Sequence, residues 1–227
     1  MDRVPASFTS RRVVLAGLAA SSALALPGCA SIERINLVDA IRRLLMRSSR
    51  NALARLMAPG GFYDDELARL ELPEVFGSRG GVLQSILTSP LFKSRLQRSL
   101  NRIAERGARR AAPILADTVR IIGIDNAAAL VRGGPTAATG YLRGAMAGRL
   151  IDAMLPELGE GLRVADDPIV GQAIAALTGI DLSGVARSLA VRVDDAIWGE
   201  IGREEAAIRA HPEVTNDPVL IAALRTL

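Results

Sequence analysis

The residues that most often carry enzymatic or redox chemistry are nearly absent from this 227-residue chain, which has one cysteine, Cys29, and one histidine, His211. A single sulfur excludes an intramolecular disulfide framework and a cysteine-rich zinc site, both of which need several sulfurs at set spacings. A single imidazole leaves no histidine cluster for a metal and makes any Ser-His or Cys-His pair depend on that one residue. Aromatic residues are 3% of the sequence against 49% apolar, so the core is left to Leu, Ile, Val, Ala and Met, of which Ala and Leu favour helix. Lys93 is the only lysine, and every other basic residue is arginine. Beyond residue 26 no uncharged stretch reaches the roughly 20 residues that span a bilayer, since Arg143 and Arg149 interrupt the best remaining segment.

What is present begins with a leader. Residues 1–12, MDRVPASFTSRR, carry three arginines against one aspartate, and residues 13–26, VVLAGLAASSALAL, are uncharged. This order reads as a cleaved signal peptide over 1–28, because an apolar run of 14 residues is short for a retained span. Ser10-Arg11-Arg12-Val13-Val14-Leu15 resembles a twin-arginine export signal, although paired arginines also occur in general secretory leaders. Leu26-Pro27-Gly28-Cys29 resembles a bacterial lipobox, the alternative being an ordinary buried cysteine. The resemblance implies that the Cys29 thiol takes a diacylglyceryl group and becomes the first residue of a mature chain, 29–227. Buried acyl chains then hold the protein to a membrane at ~0.8 kcal/mol per CH2. Ala30 after that cysteine implies onward transfer to the outer membrane. The expected location is therefore periplasmic and lipid-anchored, which makes nucleic acid a poor partner.

The mature chain reads as all-α, a single multi-helix domain with one long C-terminal helix. Ile32, Ile35, Val38, Ile41, Leu45, Ser49, Leu53 and Leu56 recur at three- and four-residue steps, giving an apolar helix face opposite a basic one. Pro59-Gly60-Gly61 ends it. Leu70 and Leu72 alternate before Pro73, which predicts a small extended element near 67–73. Helical spacing resumes over Val82 to Leu87, again after Pro90, and again after Pro113, with these prolines suited to first turns. Asp125 is placed to cap a short helix and Thr136 the next. Gly140, Gly144 and Gly148 share a helix face and point to a close helix crossing or, alternatively, a self-association face. Asp166-Asp167-Pro168 opens a further helix that Gly179 stops. From about Ser183 to Ala210 a stripe of Val185, Leu189, Val193, Ile197, Ile201 and Ile208 marks the longest helix. His211-Pro212 closes it, with His211 complementing the helix dipole, and Asp217-Pro218 starts a last short helix.

Charge divides unevenly: residues 32–120 hold 16 basic and 9 acidic side chains, net +7, and residues 121–227 hold 9 and 14, net −5. The basic half adjoins the anchor, so it either faces anionic lipid or is matched by the acidic half within the fold. Two groups of residues are chemically suggestive. Asp194, Asp195, Glu200 and Glu204, with Glu205 beside them, crowd one stretch of the long helix. They could do acid/base work or hold a divalent cation, or they form a salt-bridged surface with Arg192, Arg203 and Arg209. Arg132, Gly133, Gly134, Thr136, Tyr141 and Arg143 surround a glycine turn that feeds a helix start, where an anion can bind or where the turn is simply structural. No cofactor is expected.

Two longer motifs carry a family resemblance: DNAAALVRGGPTAATGYLR at 125–143 and ARSLAVRVDDAIWGEIGREEAAIRAHP at 186–212. Together they resemble bacterial domain of unknown function family 4197, with likeness reaching back through GGFYDDELARLELPEVF. Pro135-Thr136 and His211 depart from the family pattern. The resemblance implies an all-helical exported envelope protein and no known activity. The expectation is a non-enzymatic domain that binds an envelope protein or a lipid, with a carboxylate-using periplasmic enzyme as the alternative.

Overall fold

Eight α-helices account for most of the residues that the computed structural model describes, 36–70, 89–176 and 181–225. They are α1 (Leu37–Leu56), α2 (Pro90–Ile121), α3 (Ala127–Arg132), α4 (Ala137–Met146), α5 (Arg149–Arg163), α6 (Pro168–Ala176), α7 (Leu182–Ala210) and α8 (Pro218–Arg225). A 3-10 turn, Pro212–Thr215, joins α7 to α8. There is no strand among the described residues, and residues 67–70 of the expected extended element form a turn and coil. The rest of that element, the 82–87 segment, Gly179, the leader and Cys29 lie outside the described residues.

The four longest helices organise the core. α1 lies along α2 and α7, and α5 lies along the same two, so the neighbour relations close into a ring like that of a four-helix bundle. The apolar stripes explain why. On α1, Ile41, Leu45, Ser49, Leu53 and Leu56 are buried. On α7 the whole predicted stripe from Val185 to Ile208 is buried. Each fully buried Leu, Ile or Val contributes roughly 1.5–3 kcal/mol relative to exposure. Side-chain caps set the starts: Asn36 accepts from the Val38 and Asp39 amides, and Ser89 from Phe92. Asp167, Asp181 and Asp217 do the same for α6, α7 and α8.

Several sequence expectations are corrected. Pro113 does not begin a helix; it sits inside the 32-residue α2. A proline there costs about 3 kcal/mol, but Ala108, Ala111, Leu115 and Val119 around it are all buried, and that packing holds the helix together. The cap of α3 is Asn126, whose side chain accepts from the Ala129 amide at 3.0 Å, rather than Asp125. Thr136 stands at the cap position of α4 but makes no side-chain cap bond.

The glycine stripe also fails as a crossing. Cβ atoms added at Gly140, Gly144 or Gly148 would meet nothing within 4 Å, and Gly148 lies beyond α4 in the left-handed region, φ 82°. The close approach occurs elsewhere, between α2 and α5. A Cβ on Gly161 would lie 2.9 Å from Ile103 Cγ2, and one on Gly107 would lie 3.0 Å from Leu158 Cδ2. Missing Cβ atoms do let two helices approach, at glycines spaced too irregularly to stand out as a pattern.

Candidate functional site

The carboxylates of α7 point to three different places. Glu205 is fully buried and turns toward α4, where Oε1 accepts from the Ala138 amide at 3.0 Å and Oε2 from the Thr139 amide and hydroxyl, both at 2.6 Å. These amides are the unsatisfied donors of a helix first turn, and a negative charge there is favoured by the helix dipole. The glycine turn at 133–134 therefore does feed an anion-accepting helix start, and the anion is the protein's own. Arg209, one turn further along α7, holds Glu205 at 2.7 Å and spends its remaining donors on the Leu130 and Val131 carbonyls, each at 2.8 Å, at the end of α3. One buried ion pair thus caps α4 and ties down the C-terminal turn of α3. Gly133 is required for closeness, since a Cβ there would lie 2.5 Å from Ala137 Cβ.

The other residues of that turn lie apart. Arg132 is exposed and, among the described residues, reaches only the Ala128 carbonyl, at 3.4 Å. The Tyr141 hydroxyl donates to the Gly123 carbonyl. Arg143 crosses to α7, pairing with Asp195 and, at 3.2 Å, with Asp194. Asp194 also accepts from Trp198 Nε1 at 3.0 Å. Burial pushes its carboxyl above the usual aspartate range, against the Trp198 and Arg143 bonds that favour the charged form.

Glu200 and Glu204 face α1. Arg55 donates to Glu200 at 2.8 Å and also pairs with Glu204, which accepts from Asn51 at 2.7 Å. Arg203 adds contacts to Glu200 and, at 3.5 Å, to Asp65. The predicted cluster is thus divided: Asp194 and Asp195 pair with Arg143, whereas Glu200 and Glu204 form a salt-bridged seam with α1, the Glu200 side chain only 2% exposed. Among the described residues no group of three or more His, Cys, Asp or Glu could hold a metal ion.

Two features escaped the sequence reading. Glu105 is buried on α2 and accepts from the Gly60 amide at 3.0 Å. Burial raises its carboxyl above the usual range, opposed by the Gly60 amide and by Arg109, Arg102 and Arg106. Nothing local marks a lone Glu among arginines as buried. The second feature is a cleft of about 560 Å³ between α1, the end of α2 and the start of α8. Its walls carry Arg42, Arg43, Arg47, Arg50 and Arg120, and its floor includes Met46, Val119 and Leu220. The basic face of α1 was visible as spacing; the cleft was not, because residues from α2 and α8 complete it.

These observations define an all-α bundle whose acidic helix is bound internally by arginines and whose first helix presents arginine outward. The chain belongs to the family described as protein of unknown function DUF4197, whose model matches residues 31–224. No curated protein and no solved structure gives a match. Among the described residues no helix is long and apolar enough to cross a membrane.

Proposed function

We propose that this protein is an exported lipoprotein, anchored through Cys29 to the periplasmic face of the outer membrane, whose helical domain binds a lipid or protein of the envelope and catalyses no reaction. The observation that carries the binding half is the arginine-walled cleft with its apolar floor. A handful of placed polar groups over apolar lining is recognition chemistry, and its volume falls within the range of ligand pockets, roughly 300–1,000 Å³. Asp217, the one carboxylate among its described lining residues, already accepts from Arg43 and from the Val219 and Leu220 amides. The α7 carboxylates, which the enzyme alternative requires, are each committed to an arginine, a tryptophan or backbone amides. The anchor half rests on the leader and on Leu26-Pro27-Gly28-Cys29.

Cell fractionation with lipid labelling tests the anchor. The native protein should sediment with membranes and take label, and Cys29→Ala should lose both. A Cys29→Ala protein that stays in the membrane fraction with unchanged label would remove the assignment.

A further inference from the structure

We infer that the α1 cleft binds the phosphate of an anionic amphiphile, held by Arg47 and Arg50 with the ligand's apolar portion against Met46, over the base that Val119 and Leu220 close. The inference rests on the binding reading above, and is independent of the anchor at Cys29.

The five arginines of the cleft are not equivalent. Arg43 is held between Asp39 at 2.8 Å and Asp217 at 3.2 Å, and Arg120 pairs with Asp117 at 2.7 Å. Arg42 donates one bond, to the Ile122 carbonyl at 3.1 Å, while its Nε is buried without an acceptor. Arg47 and Arg50 are exposed and have no ion pair or hydrogen bond among the described residues. Positions 43, 47 and 50 follow one another at four- and three-residue steps, so like charges are neighbours on one helix face, an arrangement that opposes folding. An anion seated among them relieves that repulsion. The guanidinium fork matches phosphate oxygens in pairs, which a point charge does not.

The floor narrows the ligand class. Val119 and Leu220, 0% and 1% exposed, close the base of the cleft, and the half-buried Met46, with its adaptable thioether, offers accessible apolar surface beside the arginines. A bare inorganic ion would use the arginines alone. A phosphate ester on an acyl or other apolar body would use both, with the phosphate toward the exposed guanidinium groups and the apolar part toward the floor. A lipid headgroup and a free phosphate ester offer the same anion, and the apolar floor is what separates them.

The test is a calorimetric titration of the full chain, purified from cells in non-ionic detergent, with dihexanoylphosphatidylglycerol, dihexanoylphosphatidylcholine and glycerol phosphate. The expected result is saturable binding of the phosphatidylglycerol, weakened by added salt, with no comparable binding of the net-neutral phosphatidylcholine. Arg47→Ala/Arg50→Ala should weaken it about 30-fold, taking the contribution of each basic group near an anionic lipid as additive. Arg187→Ala/Arg192→Ala removes the same charge from α7 and should change binding less than threefold. Binding of the lipid well above that of glycerol phosphate assigns the site to an amphiphile; equal binding of glycerol phosphate would show that the floor contributes nothing and would overturn the inference. Equal affinity for phosphatidylcholine, an equal loss in the α7 pair, or a flat titration with every probe would overturn the inference. Thermal melts of both double variants confirm that each is folded. A membrane-held, labelled protein with a flat titration removes the cleft alone, whereas an unlabelled protein that titrates normally removes the anchor alone.

Discussion

The α7 seam and the α1 cleft use the same side chain to opposite ends. Along α7, Arg55, Arg143, Arg203 and Arg209 each meet a carboxylate, and three of those carboxylates, Asp194, Glu200 and Glu205, are buried. At the cleft, Arg47 and Arg50 meet none among the described residues. Helix α1 takes part in both, sending Arg55 to the seam and Arg47 and Arg50 to the cleft a turn or two earlier. Charge that is paired and out of water specifies how helices sit; charge left in water remains free to meet another molecule. The glycines divide in the same way. Gly161 is pressed against Ile103, and Gly140 faces open space.

If that contrast is real, substitutions at the seam should unsettle the fold and those at the cleft should leave it alone. The largest effect is expected at Glu205. Glu205→Ala leaves Arg209 without its partner and the α4 amides uncapped, and should cost about 3–5 kcal/mol in denaturant unfolding. Glu205→Gln, which keeps acceptors for part of the network, should cost less. A loss below about 1 kcal/mol for the alanine would show that the pair does not hold the joint.

The glycines come next. Gly161→Ala should lose about 1–2 kcal/mol, because overpacking against Ile103 outweighs the gain in helix propensity. Gly140→Ala should gain up to about 1 kcal/mol from propensity alone. Opposite signs in a pair of melting curves check both.

A smaller and pH-dependent effect belongs to Asp194. Its raised carboxyl means that the folded state holds the proton more tightly than the unfolded chain, so its contribution favours the fold in acid and is lost as pH rises through the folded value. Asp65, Asp167, Glu213 and Asp217 are lowered and act the other way, stabilising at neutral pH and losing that contribution as pH falls through their folded values. Asp194→Asn, which keeps an acceptor for Trp198, should therefore gain stability relative to the native protein as pH rises from the carboxylate range toward neutrality. Parallel denaturant curves at the two ends of that range provide the check, and a pH-independent difference would contradict it. The smallest change is expected from Arg47→Ala/Arg50→Ala, within about 0.5 kcal/mol, as for exposed residues without partners.

Much of the fold was legible because burial repeats. Leu189, Val193 and Ile197 mark the inner face of α7 by spacing alone, and Asp167-Pro168 and Asp217-Pro218 announce helix starts by local capping chemistry. Where the signal was local but the deciding force was not, the sequence misled. Pro113 reads as a boundary until the buried residues around it are known. Gly140, Gly144 and Gly148 read as a crossing because regular spacing is visible in a string, whereas Gly107 and Gly161 do their work against Ile103 and Leu158, residues far along the chain. Within the candidate site, the acidic run of α7 was plain, and its sorting into an α4 cap, an Arg143 pair and an Arg55 seam was not.

By itself, then, the sequence determined the all-helical class, the apolar stripes, most helix starts and the family, because all of these follow from periodicity and short-range hydrogen bonding along one segment. Only the tertiary structure decided which charges are spent and which are free. A carboxylate on α7 and an arginine on α1 are separated by some 145 positions in Glu200 and Arg55, yet they meet at 2.8 Å. Ion pairing depends on distance in space and on exclusion of water, and neither is written in the order of residues along the chain.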